Sequence, residues 1–208
     1  MEKTATMTTE LALLLVLSTL WGASYTFIKI GVETIPPVTL VAARTFIAGA
    51  LLVAIIRWRG LKLPRERKTW AYFLLQACLN SVLPFTLIAW AERTTDAGLA
   101  AILNSTTPIF AFLITALITR HEVLTGRKLF GVSSGLIGTA LIIGVGAFGS
   151  IGQALSAQLA IVAATICYAG AAVFGRNFRG LDPMLPAAGS LISGAVILIP
   201  VSVVVDHP

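Results

Sequence analysis

The chain has 208 residues, of which 57% are hydrophobic and 12% charged, and its formal net charge is +6. Its mean hydropathy of +0.91 lies outside the range of soluble globular domains. The basic residues fall in short segments between apolar runs and not along one helix face, which argues against a nucleic-acid-binding protein. We therefore expect a membrane protein whose surroundings are the lipid bilayer and whose partners include no nucleic acid.

Seven apolar runs follow one another along the chain, each about as long as the 20-residue helix that crosses a bilayer. They cover residues 11–30, 38–56, 70–90, 97–119, 129–145, 155–174 and 185–205. All nine acidic residues lie at the ends of these runs or between them, and of the fifteen basic residues only Arg44 lies well inside one. Because backbone polar groups in hydrocarbon must bond within their own segment, each run is predicted to be a helix. The predicted fold class is an all-α polytopic membrane protein.

The loops after the second, fourth and sixth runs, together with Lys3, carry most of the basic residues. The opposite set of loops carries only Lys29 and Arg93. The positive-inside rule therefore predicts a multi-pass protein of the cell membrane with a cytoplasmic N-terminus.

The sixth run repeats features of the first. A shift of 147 residues places Trp21 on Tyr168 and brings the basic end and the following proline of the two runs into register. A unit of five helices has an odd number of spans, so its second copy must enter the membrane from the other side, as in the inverted repeats of secondary transporters. We predict a first five-helix repeat over 11–146 and a second repeat over 155–208 that is cut after two helices. The chain is therefore expected to be a fragment or a truncated gene product.

Several segments together resemble the EamA-type transporters of the drug/metabolite transporter superfamily. They read WGASYTFIK in the first run, AARTFIAGALL in the second, AWAERTTDAGLAAILNSTTPIFAFLITALI across the third and fourth, and HEVLTGRKLFGVSSGLIGTALI leading into the fifth. The resemblance implies a ten-helix bundle of two inverted five-helix repeats that moves small metabolites, often outward. Three helices of that pattern are absent from this chain.

Two features of the first two runs are candidates for a substrate site. Arg44 is costly inside a span, so it either faces a polar cavity and holds a carboxylate or extends its guanidinium toward the membrane surface. Trp21 lies too deep for an interfacial belt, with Tyr25 one turn further on. Both aromatic side chains are expected either to pack against substrate or to fill the bundle interior.

Polar side chains and prolines interrupt the third and fourth runs. Gln76, Asn80 and Pro84 recur at a spacing of four, which predicts one polar helix face, and Asn104 to Pro108 read NSTTP near the middle of the next span. Such kinked, polar segments form substrate sites in transporters, but they also arise from hydrogen bonding between or within helices. The predicted cavity wall comprises Trp21, Tyr25, Arg44, Asn80, Asn104 and Pro108.

Gly131 and Gly135 form a GxxxG pattern in the fifth run, which allows close helix contact either in a homodimer or inside the bundle. Cys78 and Cys167 lie inside apolar runs and are predicted to be packing residues. The sequence shows no metal-ligand spacing, nucleophile arrangement or phosphate-binding loop, so we predict no metal, no cofactor and no enzymatic activity.

These features predict a transporter that moves small metabolites, such as amino acids or related compounds, by alternating access. The alternative is a truncated membrane protein that does not transport, or a scaffold that packs through its glycines. No Asp or Glu lies inside a run, and Glu92 at the end of the third is the nearest carboxylate. The sequence leaves open whether the protein is a facilitator, couples protons through Glu92, or uses a carboxylate outside this chain.

Overall fold

The computed structural model describes residues 7–118, 125–143 and 153–207, and within these ranges the chain consists of helices and turns without a strand. This confirms the predicted all-α polytopic fold. The α-helices are α1 (Met7–Gly31), α2 (Pro37–Trp58), α3 (Arg67–Ala77), α4 (Leu83–Ala91), α5 (Ala97–Asn104), α6 (Thr107–Leu113), α7 (Gly126–Ile143), α8 (Gln153–Phe174) and α9 (Met184–Val205).

Six helical segments of the described residues are long and apolar enough to cross a membrane. They are Met7–Gly31, Pro37–Trp58, Arg67–Ala91, Ala97–Leu117, Leu155–Phe178 and Met184–Val205. The remaining predicted span, 129–145, coincides with α7 as far as Ile143 and then leaves the described residues. Large apolar side chains point outward along these helices, as the hydrocarbon core of a bilayer requires.

The ends of α2 follow directly from its sequence. Pro36 is extended (φ −56°, ψ 144°), and Pro37 starts the helix, where its missing N–H has no intrahelical partner to lose. At the other end Gly60 has a φ of +71°, its N–H bonds the carbonyl of Arg57, and the N–H of Leu61 bonds the carbonyl of Ile56. These two bonds form a Schellman motif, which satisfies the last carbonyls of the helix.

The third span is interrupted by a π-helical turn, Cys78–Val82, between α3 and α4. Pro84 has no N–H to bond the carbonyl four residues back, and the N–H of Leu83 bonds the carbonyl of Cys78, one residue further back than in an α-helix. The Thr86 hydroxyl donates to the Val82 carbonyl at 2.7 Å, which satisfies another backbone group locally.

The π turn lies between the three side chains of the predicted polar face along the third span, Gln76, Asn80 and Pro84, and their surroundings differ. The shared face remains a prediction. Asn80 lines a cavity, whereas Pro84 is fully buried and Gln76 lies beside Gly175 after α8.

The last two helices pack into the group formed by α1 to α6. Helix α9 packs along α2 and α3, and α8 packs against α4, α5 and α6. Glycine allows the close approach at two points of α9: the Phe73 ring of α3 occupies the place of a side chain at Gly189, and Gly194 faces the Thr45 methyl group of α2. The helices assigned to the second predicted repeat therefore complete the core of the first.

The two glycines of the GxxxG pattern have different surroundings. Ile109 of α6 occupies the place where a Cβ of Gly135 would stand, whereas a Cβ at Gly131 would meet no described atom within 4 Å. The homodimer and internal-packing interpretations of this pattern both remain predictions.

Candidate functional site

A cavity of about 310 Å³ lies between α1, α2, the π turn, α4 and α8. Its volume is at the small end of the range of ligand pockets in proteins, about 300 to 1,000 Å³. The lining residues are Leu17, Leu20, Trp21, Ser24, Tyr25, Ile28, Arg44, Asn80, Phe85, Ile88 and Tyr168. The wall is thus mostly apolar, with a few polar groups and one formal charge.

Three aromatic rings form one side of the cavity. Tyr168 of α8 contacts Trp21 of α1 edge to face, with ring centroids 6.3 Å apart, and it makes a second edge contact of 6.3 Å with Phe85 of α4. Such pairs hold their rings in fixed relative orientations. The cavity therefore has a preformed aromatic wall contributed by three helices.

Arg44 brings the only formal charge among the lining residues. Its guanidinium carbon lies 4.4 Å from the centroid of the Phe85 ring, a cation–π arrangement that orients the side chain. A planar guanidinium held in this way retains N–H donors that are suited to a carboxylate. The cavity can therefore bind an anionic group at one point and apolar groups elsewhere.

The structure brings four of the six predicted site residues together. Trp21, Tyr25, Arg44 and Asn80 line the cavity. Asn104 is not in its lining, but the Tyr25 hydroxyl approaches the Asn104 side chain, and the amide oxygen of Asn104 is buried without a hydrogen-bond partner in the described part of the chain.

Pro108, the sixth predicted site residue, lies apart from the cavity at the start of α6 and is exposed. The hydroxyl groups beside it serve the local backbone: Thr106 donates to the Leu103 carbonyl and Thr107 to the Asn104 carbonyl, both at 2.7 Å. Of the two interpretations of the NSTTP segment, backbone satisfaction therefore accounts for these two hydroxyls. The Asn104 amide has no such role.

Glu92 follows α4 directly, where the C-terminal ends of α1 and α4 meet, and this end of the bundle is called the Glu92 end. The side chain is fully buried, and neither carboxyl oxygen has a hydrogen-bond partner among the described residues. The Lys29 ammonium of α1 donates instead to the Glu92 backbone carbonyl at 2.6 Å. Burial raises the pKa of Glu92 from 4.5 to about 8, and the positive charges of Lys29 and Arg44 oppose the rise.

A second link at the Glu92 end joins α9 to α2. One carboxyl oxygen of Asp206 accepts hydrogen bonds from the Thr39 backbone N–H at 2.6 Å and from the Thr39 hydroxyl at 2.8 Å. Pro36, at the N-cap position of α2, has no side-chain cap. Asp206 therefore caps α2 from a position far along the chain, where negative charge interacts favourably with the helix dipole.

Sequence reasoning missed Phe85 and Tyr168 as cavity residues. Phe85 is an ordinary apolar residue of a span and carries no local signal. Tyr168 could have been found, since the predicted internal repeat pairs it with Trp21, and residues equivalent in an inverted repeat meet when they lie near its axis.

Comparison of the sequence with known proteins identifies the family of the chain. A model described as the EamA-like transporter family matches residues 8–144. The chain belongs to the EamA-like transporter family. The matched region contains every predicted site residue, whereas Tyr168 lies beyond it. No solved structure matches the chain.

Three relatives of this EamA-like chain are named only as uncharacterized transporters. It is 25% identical to the uncharacterized transporter YoaV of Bacillus subtilis, over 86% of this chain and 62% of that protein. It is 28% identical to the uncharacterized inner membrane transporter YedA of Escherichia coli, over 89% and 59%. An uncharacterized transporter of Archaeoglobus fulgidus is 33% identical over 67% and 48%. The chain thus spans about 60% of the length of the first two relatives.

Proposed function

We propose that the protein transports small metabolites that carry a carboxylate and an apolar group, amino acids or related compounds among them. The carboxylate binds the Arg44 guanidinium, and the apolar group packs on the rings of Trp21, Phe85 and Tyr168. The observation that carries this proposal is the cavity itself, in which a single guanidinium faces a preformed aromatic wall. Membership of a transporter family supports the same function.

Transport proceeds by alternating access, with the two predicted repeats rocking about the bound substrate. The contact between Trp21 and Tyr168 supports this mechanism because the two residues are equivalent in the predicted repeat and meet in the wall of one cavity, on α1 and α8. At the Glu92 end, Lys29 links α1 to the end of α4, and Asp206 links α9 to α2. Opening toward that side requires both links to break.

The orientation follows from the basic residues. The end of the bundle opposite Glu92 carries the loops with Arg57, Arg59, Lys62, Arg65, Arg67, Lys68, Arg176 and Arg179. Under the positive-inside rule this end faces the cytoplasm of the cell membrane, so the Glu92 end faces outward and the N-terminus lies inside.

The test is uptake into proteoliposomes that contain the purified protein. The probes are radiolabelled 3-phenylpropanoate, which has an aromatic group and a carboxylate, and 3-phenylpropanamide, which lacks the charge. We expect saturable uptake of the acid above that of empty liposomes, and no saturable uptake of the amide. Arg44→Gln should reduce acid uptake by at least about tenfold, the cost of one charge-assisted contact.

Arg57→Gln is the matched control, because it removes an exposed arginine at the far end of the bundle without touching the cavity. Equal acid uptake by Arg44→Gln and Arg57→Gln at equal protein content would refute the carboxylate site. No uptake of a wider panel of amino acids, carboxylates and amines by correctly folded protein would favour a membrane protein that does not transport.

A further inference from the structure

Glu92 is the one carboxylate in the described residues that is fully buried, and its environment is not that of a structural ion pair. Neither carboxyl oxygen has a hydrogen-bond partner in the described residues, although Lys29 is close enough to bond the backbone carbonyl of the same residue. A buried carboxylate without partners is costly when ionised, whereas the neutral acid is tolerated. The geometry therefore favours a bound proton.

Glu92 is also electrostatically connected to the cavity. It lies within range of Arg44 and Tyr25, both of which line the cavity, and of Lys29. On the other helices packed around this region, α8 contributes Cys167 and Tyr168, and α5 and α9 carry no titratable side chain within their bounds. Asp206, which directly follows α9, lies at the same end of the bundle and is bonded to Thr39. Arg93 and Asp96 follow Glu92 in its own loop. Arg44 is thus the charged group that acts on Glu92 and also faces the cavity.

We propose that Glu92 is a proton-binding site coupled through Arg44 to the cavity, so that the protein binds a proton and a carboxylate substrate together. The identity of the substrate in this inference rests on the proposed function, whereas the proton site at Glu92 is independent of it.

The coupling follows from the charges. With an empty cavity the positive charge of Arg44 favours the ionised form of Glu92. A carboxylate bound at Arg44 offsets that charge, so Glu92 takes up a proton from water more readily. By linkage, a protonated Glu92 strengthens anion binding by the same factor. Substrate and proton therefore enter and leave together, and a proton gradient can drive the substrate across the membrane.

The proton site is tested without any substrate, by infrared difference spectroscopy of the purified protein in lipid during a pH titration. We expect a C=O band of a protonated carboxylic acid that disappears with a midpoint near pH 8, since burial raises the pKa of Glu92 to about 8. Glu92→Gln should abolish the band, and Glu33→Gln, which removes an exposed carboxylate at the same end, should leave it. A band that survives Glu92→Gln, or no such band in the unmodified protein, overturns the proposal.

The coupling is tested in the same titration with Arg44→Gln. Removal of the positive charge should raise the midpoint of the Glu92 band, whereas Arg57→Gln at the opposite end should leave it unchanged. An unchanged midpoint in Arg44→Gln overturns the coupling even if the proton site is present. This readout separates electrostatic coupling from a purely structural role, because loss of packing alone would not raise the affinity for a proton.

A final measurement distinguishes failure of the proton-coupling inference from failure of the proposed substrate class. Addition of 3-phenylpropanoate to weakly buffered protein at pH 8 should cause proton uptake, which 3-phenylpropanamide and Glu92→Gln should not show. Proton uptake by Glu92→Gln equal to that of the unmodified protein contradicts coupling through Glu92. Arg44→Gln could shift the midpoint of the Glu92 band while 3-phenylpropanoate binds neither the unmodified protein nor any variant. In that case the coupled proton site stands and the proposed substrate class fails.

Discussion

Replacement of Asp206 by alanine removes the carboxylate that caps the first turn of α2. Its oxygen accepts two bonds from Thr39, at 2.6 and 2.8 Å, and the side chain is half-buried. A hydrogen bond to a charged group contributes about 1.5 to 3 kcal/mol when well shielded, and loss of a helix cap costs about 1 kcal/mol. Because the site is partly open to solvent, we expect Asp206→Ala to lower the free energy of unfolding by about 2 kcal/mol.

The assay is thermal unfolding of the detergent-solubilised protein, followed by circular dichroism. A loss of 2 kcal/mol corresponds to a fall in Tm of about 4 to 8 °C for a chain of this size. Asp206→Asn keeps a neutral acceptor and should lose about half as much. Glu33→Ala, which removes an exposed carboxylate at the same end of the bundle, should leave Tm within about 1 °C. If Asp206→Ala matched Glu33→Ala, the long-range cap would contribute nothing and the reasoning would be refuted.

Three further predictions concern packing, the cavity and pH. Gly189→Ala should lower stability by about 1 to 3 kcal/mol, because the new Cβ meets the Phe73 ring, whereas Gly22→Ala has open space; equal Tm values for the two variants would contradict this. Asn104→Ala should reduce substrate uptake at unchanged membrane abundance, because it removes the amide that Tyr25 approaches; equal flux at equal abundance would remove Asn104 from the site. Burial raises the pKa of Glu92 from its ordinary value of 4.5 to about 8. The contribution of Glu92 to the free energy of unfolding is therefore fully present below pH 4.5 and is lost as the pH rises through about 8. The Tm of the unmodified protein should therefore fall over this range relative to that of Glu92→Gln, and parallel curves would contradict it.

The membrane helices were predictable from the sequence, because exclusion of charge from long runs is a strong local signal. The interruptions of the third and fourth spans were also predictable in position, since Pro84 and Pro108 cannot donate the backbone bond that an α-helix requires. Their form was not. Whether a freed carbonyl leads to a π turn, as before Pro84, or to a break between two helices, as before Pro108, depends on neighbouring helices and hydroxyl groups that satisfy the backbone.

The candidate site was predictable only in part. Arg44 and Trp21 are conspicuous in the sequence because a charge or a large polar aromatic residue is unusual deep in a span. Phe85 has no such signal, and its role depends on the cation–π contact across two helices. The pairing of Asp206 with Thr39 joins residues 167 positions apart, which no local pattern encodes.

The burial of Glu92 could not be predicted from the sequence either. Its place at the end of a span predicts a residue near the membrane surface, where a carboxylate is ordinarily hydrated. Packing around α1 and α4 buries it completely instead. Burial of a helix-end residue depends on how closely neighbouring helix ends meet, which is a property of the tertiary structure.

The central claim is that Arg44 in the cavity binds the carboxylate of the substrate. Its most direct test is equilibrium binding of 3-phenylpropanoate, measured by the fluorescence of Trp21 in the cavity wall and assigned by loss of the signal in Trp21→Phe. We predict saturable binding that Arg44→Gln weakens by at least about tenfold and Arg57→Gln leaves unchanged. Equal affinity for the acid in the unmodified protein and Arg44→Gln, or equal affinity for the acid and its amide, would contradict the claim.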